Sequence, residues 1–130
     1  MTMEDYSIEL PSLETDLKCL NGMLEHAEYI KMYYPKLVDA GQDVDRFTLT
    51  AMIDAINMRV QALTELSVQI SREFQHKFYE LLPWAFFRKM RNTISHDYGM
   101  IDQDALEAIV KNIDKITHII EELLDHFEYA

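Results

Sequence analysis

The chain has 130 residues, of which 48% are hydrophobic and 27% are charged, a balance typical of one globular domain and not of a disordered segment. Only 3 glycines and 3 prolines are present, which argues against a many-stranded β fold and favours long helices. The formal net charge of −11 disfavours broad, nonspecific binding of nucleic acid. It is compatible with a local basic site or with a basic protein partner.

Cys19 is the only cysteine, so no intrachain disulfide can form. The acidic N-terminus shows no signal peptide, and no apolar stretch has the length needed to span a bilayer. We therefore expect a cytoplasmic protein with no membrane association, and residues 1–130 are predicted to form a single helical domain.

Apolar side chains recur at steps of three and four along most of the chain, which predicts amphipathic helices. The first stripe covers residues 13–37, with Pro35 near its end. The second covers residues 49–74, and either the Asp43–Asp45 region or Thr48 is expected to cap its start.

A short apolar segment at residues 74–82 is broken at Pro83, where a new helix is expected to begin and to run to about Gly99. The last helix is predicted to follow an Asp102–Asp104 start, and Asp104 together with Glu107 resembles a capping box. Four one-sided helices with short links predict an all-α fold, an antiparallel up-and-down bundle of four to five helices.

The helix after Pro83 is predicted to separate its side chains into two arcs. The apolar arc contains Phe86, Phe87, Met90, Ile94 and Tyr98. The polar arc contains Arg88, Lys89, Arg91, Asn92, Ser95 and His96. Arg91 offers a planar fork of donors that suits a phosphate, and His96 can transfer a proton near neutral pH. Asn92 precedes His96 by four residues, a spacing at which it can orient the imidazole.

Each of these residues also has an ordinary structural interpretation. Arg91 and His96 fit a solvated helix face, because this spacing often occurs by chance. Tyr98 fits a packed aromatic residue whose hydroxyl reaches the rim. Asp97 fits either a carboxylate that fixes the tautomer of His96 or a solvated acid. The other histidines form no ligand pattern, so no metal and no cofactor are expected.

The region from Leu82 to Asp102, with the string Arg91-Asn92-x3-His96-x-Tyr98, resembles the HepT-like branch of the HEPN superfamily. The pattern of that branch is Arg-x4-His-x-Tyr, with Asn commonly following the Arg. The segment 62–65 resembles a further position of the family, where Thr64 replaces a common glycine before Glu65.

The resemblance implies an all-α homodimer whose two motifs face each other across a cleft. It implies a metal-independent endoribonuclease toxin, with Arg91 and His96 as catalytic residues and RNA as substrate. It also implies a partner, a minimal nucleotidyltransferase antitoxin that transfers AMP to Tyr98 and silences the nuclease.

Several neighbours of the motif are candidates for supporting roles. Asn92, Ser95 and Asp97 are expected to support the two catalytic residues, and Arg88 and Lys89 are candidate RNA contacts.

The alternative function is a non-catalytic partner, or a substrate- or nucleotide-binding subunit, of a nucleotidyltransferase. The net charge of −11 favours that alternative, because a free ribonuclease gains from a positive field.

Overall fold

The computed structural model describes residues 9–40, 44–96 and 103–129, and these ranges contain helices and no strand. The helices are α1 (Leu13–Ala40), α2 (Arg46–Gln69), α3 (Arg72–Lys77), α4 (Trp84–His96) and α5 (Gln103–His126). This arrangement confirms the predicted all-α class. None of the described helices has both the length and the apolar character needed to cross a membrane.

The four long helices bury their apolar stripes in one core. In this core α1 packs against both α2 and α5, and α2 also packs against α4. The fully buried residues come from every helix and include Leu20, Ile30, Ile56, Leu63, Phe74, Phe87, Ile109 and Ile120. The stripes read from the sequence therefore identify the packed faces correctly.

The structure corrects the predicted course of the second stripe. The helix ends at Gln69, and Ile70 adopts an extended conformation with ψ 136°. Ser71 then caps α3, since its Oγ accepts a hydrogen bond from the Phe74 amide at 3.2 Å. The apolar pattern misses this break because Ile70 and Phe74 are both buried, as they would be on a continuous helix.

A buried carboxylate holds the break between α2 and α3 in place. Asp16 of α1 is 1% exposed. It accepts hydrogen bonds from the Ser71 amide at 2.8 Å and from the Ser71 hydroxyl at 2.5 Å. A carboxylate removed from water in this way is stabilised only by such partners, so α1 and the start of α3 are tightly coupled.

The other helix boundaries agree in part with the sequence. Asp45 caps α2, accepting from the Thr48 amide at 2.8 Å, as one of the two predicted caps. Pro35 lies inside α1 and does not end it, because the helix continues to Ala40. Asp104 lies within the first turn of α5 and not at its cap, so the predicted capping box with Glu107 is wrong.

Candidate functional site

The start of α4 is anchored by aromatic packing. The indole Nε1 of Trp84 donates to the carbonyl of Phe78 at 3.1 Å, and the Trp84 ring meets Phe74 edge-on with centroids 6.4 Å apart. Pro83 precedes the helix as predicted, and its carbonyl accepts from the Phe87 amide at 3.0 Å. These contacts fix the direction in which α4 leaves the turn, and hence the face that it presents to solvent.

Between Phe86 and Asn92, α4 has the two arcs that the sequence predicts. Phe87 and Met90 are buried, as is Trp84 just before them, and Phe86 is partly buried against the same core. On the polar arc Arg88, Lys89 and Asn92 are exposed and Arg91 is half-buried. The cationic face is thus accessible for most of its length.

Arg91 is held by an acidic residue of α2. Its Nε donates to Oε2 of Glu65 at 3.0 Å, and the two side chains are 41% and 47% exposed. Its Nη1 also donates to Oδ1 of Asn92 at 3.4 Å. The contact through Nε fixes the plane of the guanidinium, which in a flexible arginine would otherwise rotate freely.

Sequence patterns indicate this pair only weakly. Glu65 lies in the segment 62–65, which resembles a family position, but Thr64 replaces the glycine common there and so weakens the case for a role of Glu65. The partners are 26 residues apart, a separation at which helical periodicity carries no information.

Arg88 is held in a similar way by α3. Its Nη2 donates to Oε1 of Gln75 at 3.4 Å. The amide of Gln75 is itself oriented, because Nε2 donates to the carbonyl of Ile70 at 2.8 Å. Arg88 and Arg91 are three residues apart and therefore lie on the same side of α4. Two arginines of the polar arc are thus each held by an acceptor from the α2–α3 region.

The remaining predicted site residues are only partly described. The backbone of α4 includes Ser95 and His96, but their side chains lie outside the described residues. Asp97 and Tyr98 lie outside them entirely. The structure therefore brings Arg91 together with Asn92 and Glu65, while the placement of the imidazole and of the phenol stays a prediction.

Histidines elsewhere make ordinary contacts. His26 faces Arg59, with Nδ1 and Nη1 3.2 Å apart, and His118 pairs with Glu122 at 3.0 Å. Burial, and then Arg59, lower the pKa of His26. Within the described ranges no three His, Cys, Asp or Glu residues form a group that could hold a metal ion.

The described part of the chain is thus an all-α bundle whose motif helix exposes an arginine held by Glu65. The family described as Ribonuclease HepT-like matches residues 23–123 of the chain. The chain therefore belongs to the HepT-like ribonuclease family, which confirms the resemblance seen in residues 82–102.

One similar protein comes from Methanocaldococcus jannaschii, and its name joins gamma-glutamylcyclotransferase to a proposed RNase. The two sequences are 29% identical over 110 residues, which cover 84% of this chain. The chain spans 47% of the length of that relative. No solved structure matches the chain at a significant level.

Proposed function

We propose that the protein is a metal-independent endoribonuclease that cleaves RNA by attack of a 2′-hydroxyl on the adjacent phosphate. One observation carries the proposal: Arg91, on the accessible face of α4, is oriented by Glu65 in a member of a ribonuclease family. A fixed guanidinium can stabilise the charge that builds on the phosphoryl oxygens, and it does so without reorganisation during the reaction.

The motif supplies the remaining chemistry. A base removes the 2′-hydroxyl proton, the O2′–P bond forms, the P–O5′ bond breaks, and an acid protonates the leaving 5′-oxygen. His96 acts as one of these groups, and His96 of a second copy acts as the other. Asn92, Ser95 and Asp97 support the imidazole and the phosphate. Arginine and histidine together provide charge and proton transfer, so the reaction needs no metal ion.

The proposed mechanism needs a homodimer, and α2 offers a surface for it. Phe47 and Met58 on this helix are 83% and 61% exposed. Their spacing of eleven residues, about three helical turns, puts them on one face, and seven further residues lead along that face to Glu65. A second copy that covers Phe47 and Met58 would meet the first beside Arg91.

The dimer can be tested with two substitutions on that face. Phe47→Asp and Met58→Asp should each convert a dimer to a monomer in sedimentation experiments and should abolish RNA cleavage. Met32→Asp is the matched control, since Met32 is 47% exposed but lies on α1. A wild-type protein that is monomeric at micromolar concentration while cleaving RNA would exclude the composite site.

The partner in this proposal is a minimal nucleotidyltransferase antitoxin that attaches AMP to Tyr98. The added phosphate would place negative charge near Arg91, and the adenosine would fill part of the cleft. Tyr98→Phe removes only the acceptor oxygen, so it should stay active and resist inhibition. Intact-mass measurement after incubation with the transferase and ATP decides the site: an AMP-sized increment on Tyr98→Phe would place the modification elsewhere.

The ribonuclease assignment itself is tested with purified, unmodified protein. His96→Ala and Arg91→Ala should each lower kcat by on the order of 100-fold or more, as loss of a transition-state contact does, and activity should persist in EDTA. Arg46→Ala, an exposed arginine at the start of α2, is the control.

A second function, a non-catalytic subunit of a nucleotidyltransferase, is favoured by the net charge of −11. It predicts no cleavage by the wild type and no effect of His96→Ala on binding of the transferase. Cleavage that depends on His96 would exclude it.

A further inference from the structure

The positive charge of this acidic protein is concentrated on one segment. Between Ser71 and His96 there are five of the 12 basic residues and only two of the 23 acidic ones. The segment therefore carries a formal charge of +3, while the rest of the chain carries −14. A polyanion that approaches the protein is attracted to α3 and α4 and repelled by the remaining surface.

This segment also forms a groove. An open surface groove of about 840 Å³ lies between α3 and the first turns of α4. Its α3 wall contains Arg72 and His76, which are four residues apart and so share a helix face, together with Glu73. Its opposite wall contains Arg88, whose guanidinium touches Gln75 across the groove. Arg91 lies one turn further along α4 on the same side.

The groove combines these cations with an accessible aromatic surface. Tyr79 is 55% exposed and lines the groove beside Pro83. The Tyr79 hydroxyl donates to Oε1 of Glu80 at 2.9 Å, which helps to hold the ring in place. A held, exposed ring next to arginines matches the way in which proteins bind single-stranded nucleic acid, with bases stacked on aromatic rings and phosphates bound to cations.

We propose that this α3–α4 groove binds the single-stranded RNA that flanks the cleaved phosphate. Arg72 and Arg88 bind neighbouring phosphates, and a nucleobase stacks on Tyr79. A duplex does not fit this role, because its bases are already stacked and paired. The inference rests on the proposed ribonuclease function and adds to it a substrate class and a path for the strand beyond Arg91.

The experiment uses the full chain with His96→Ala, so that RNA binds without being cut. Fluorescence anisotropy with a labelled single-stranded RNA of roughly 12 nucleotides, within the range of known single-strand sites, gives Kd as a function of salt. Arg72→Gln and Arg88→Gln should each weaken binding, and each should reduce the slope of log Kd against log salt by about 0.7, the value for one phosphate contact on a single strand.

Tyr79→Ala should weaken binding by on the order of tenfold without changing the salt slope, because a stacking contact releases no counterions. Tyr79→Phe keeps the ring and should bind like the parent. Arg46→Gln, which removes an arginine outside the groove, should leave both Kd and the slope unchanged.

The outcomes separate this inference from the ribonuclease proposal. If the Arg72 and Arg88 variants bind RNA like the parent while the wild type still cleaves RNA, the groove does not bind the substrate. The ribonuclease proposal would then stand without it. Equal affinity for a duplex of the same length would overturn the single-strand assignment. Groove variants that weaken binding of a nucleotidyltransferase but not of RNA would show that a protein occupies the groove. Absence of any His96-dependent cleavage would instead count against the nuclease itself.

Discussion

Glu65 is expected to control catalysis through the orientation of Arg91, and it should do so with little effect on stability. The carboxylate contacts Nε of Arg91 at 3.0 Å, but the two side chains are 47% and 41% exposed. Ion pairs with that much exposure to solvent are screened and stabilise a fold by about 0.2–1 kcal/mol. Glu65→Ala should therefore lower the free energy of unfolding by less than about 1 kcal/mol.

The effect of Glu65 substitutions on catalysis should be larger than their effect on stability, and it should change both kcat and KM. Glu65→Ala frees the guanidinium to rotate, and we expect kcat to fall about tenfold, which is a loss of about 1.4 kcal/mol of transition-state stabilisation. Glu65→Gln retains an oxygen acceptor for Nε and should lose much less. Both variants remove a negative charge beside the phosphate site, so KM should fall.

Steady-state cleavage of a fluorogenic RNA, with thermal unfolding measured in parallel, tests this expectation. Glu28 provides the matched control: it is a glutamate of α1 that is 51% exposed and lies 3.8 Å from Lys31. Glu28→Ala should have wild-type kcat and KM. An unchanged kcat in Glu65→Ala, or a kcat loss that merely follows a loss of several kcal/mol in stability, would refute the positioning role.

Three further predictions concern buried and partly buried side chains. Asp16→Ala removes both acceptors of Ser71 and should lower stability by about 2–4 kcal/mol, seen as a fall in Tm; an unchanged Tm would contradict the role of the carboxylate. The pKa of His26 is lowered by burial and then by Arg59, so the folded state keeps the ring neutral and stability should fall as the pH drops below about 6.5. His26→Gln should flatten that part of a pH–stability profile, and equal slopes would refute the assignment. Burial, and then Asp16, raise the pKa of the Cys19 thiol, so Cys19 should react with thiol reagents only slowly until the protein is unfolded, which a timed thiol assay measures.

Local periodicity accounts for the parts of the fold that the sequence predicts well. The apolar stripes and the two arcs of α4 depend on residues three or four apart, and the helix start after Pro83 depends on that proline alone. The contacts that organise the site do not. Glu65 and Arg91 are 26 residues apart, and Asp16 and Ser71 are 55 apart, so neither pair leaves a pattern in one sequence. The apolar pattern misses the break at Ser71 for a related reason, since Ile70 and Phe74 on either side of it are both buried.

The contacts between residues far apart in sequence add information about function that the motif alone does not carry. An arginine on an exposed helix face is ordinary, and by itself it carries little information about function. In this chain Arg91 and Arg88 are both held from the α2–α3 region, and Asp16 of α1 fixes the junction between α2 and α3. Orientation of the cations is therefore a property of the whole bundle, although only the motif helix presents them. A chain with the same motif but without acceptors equivalent to Glu65 and Gln75 would keep its charge and lose the contacts that hold the two arginines, and the proposed mechanism depends on such orientation at Arg91.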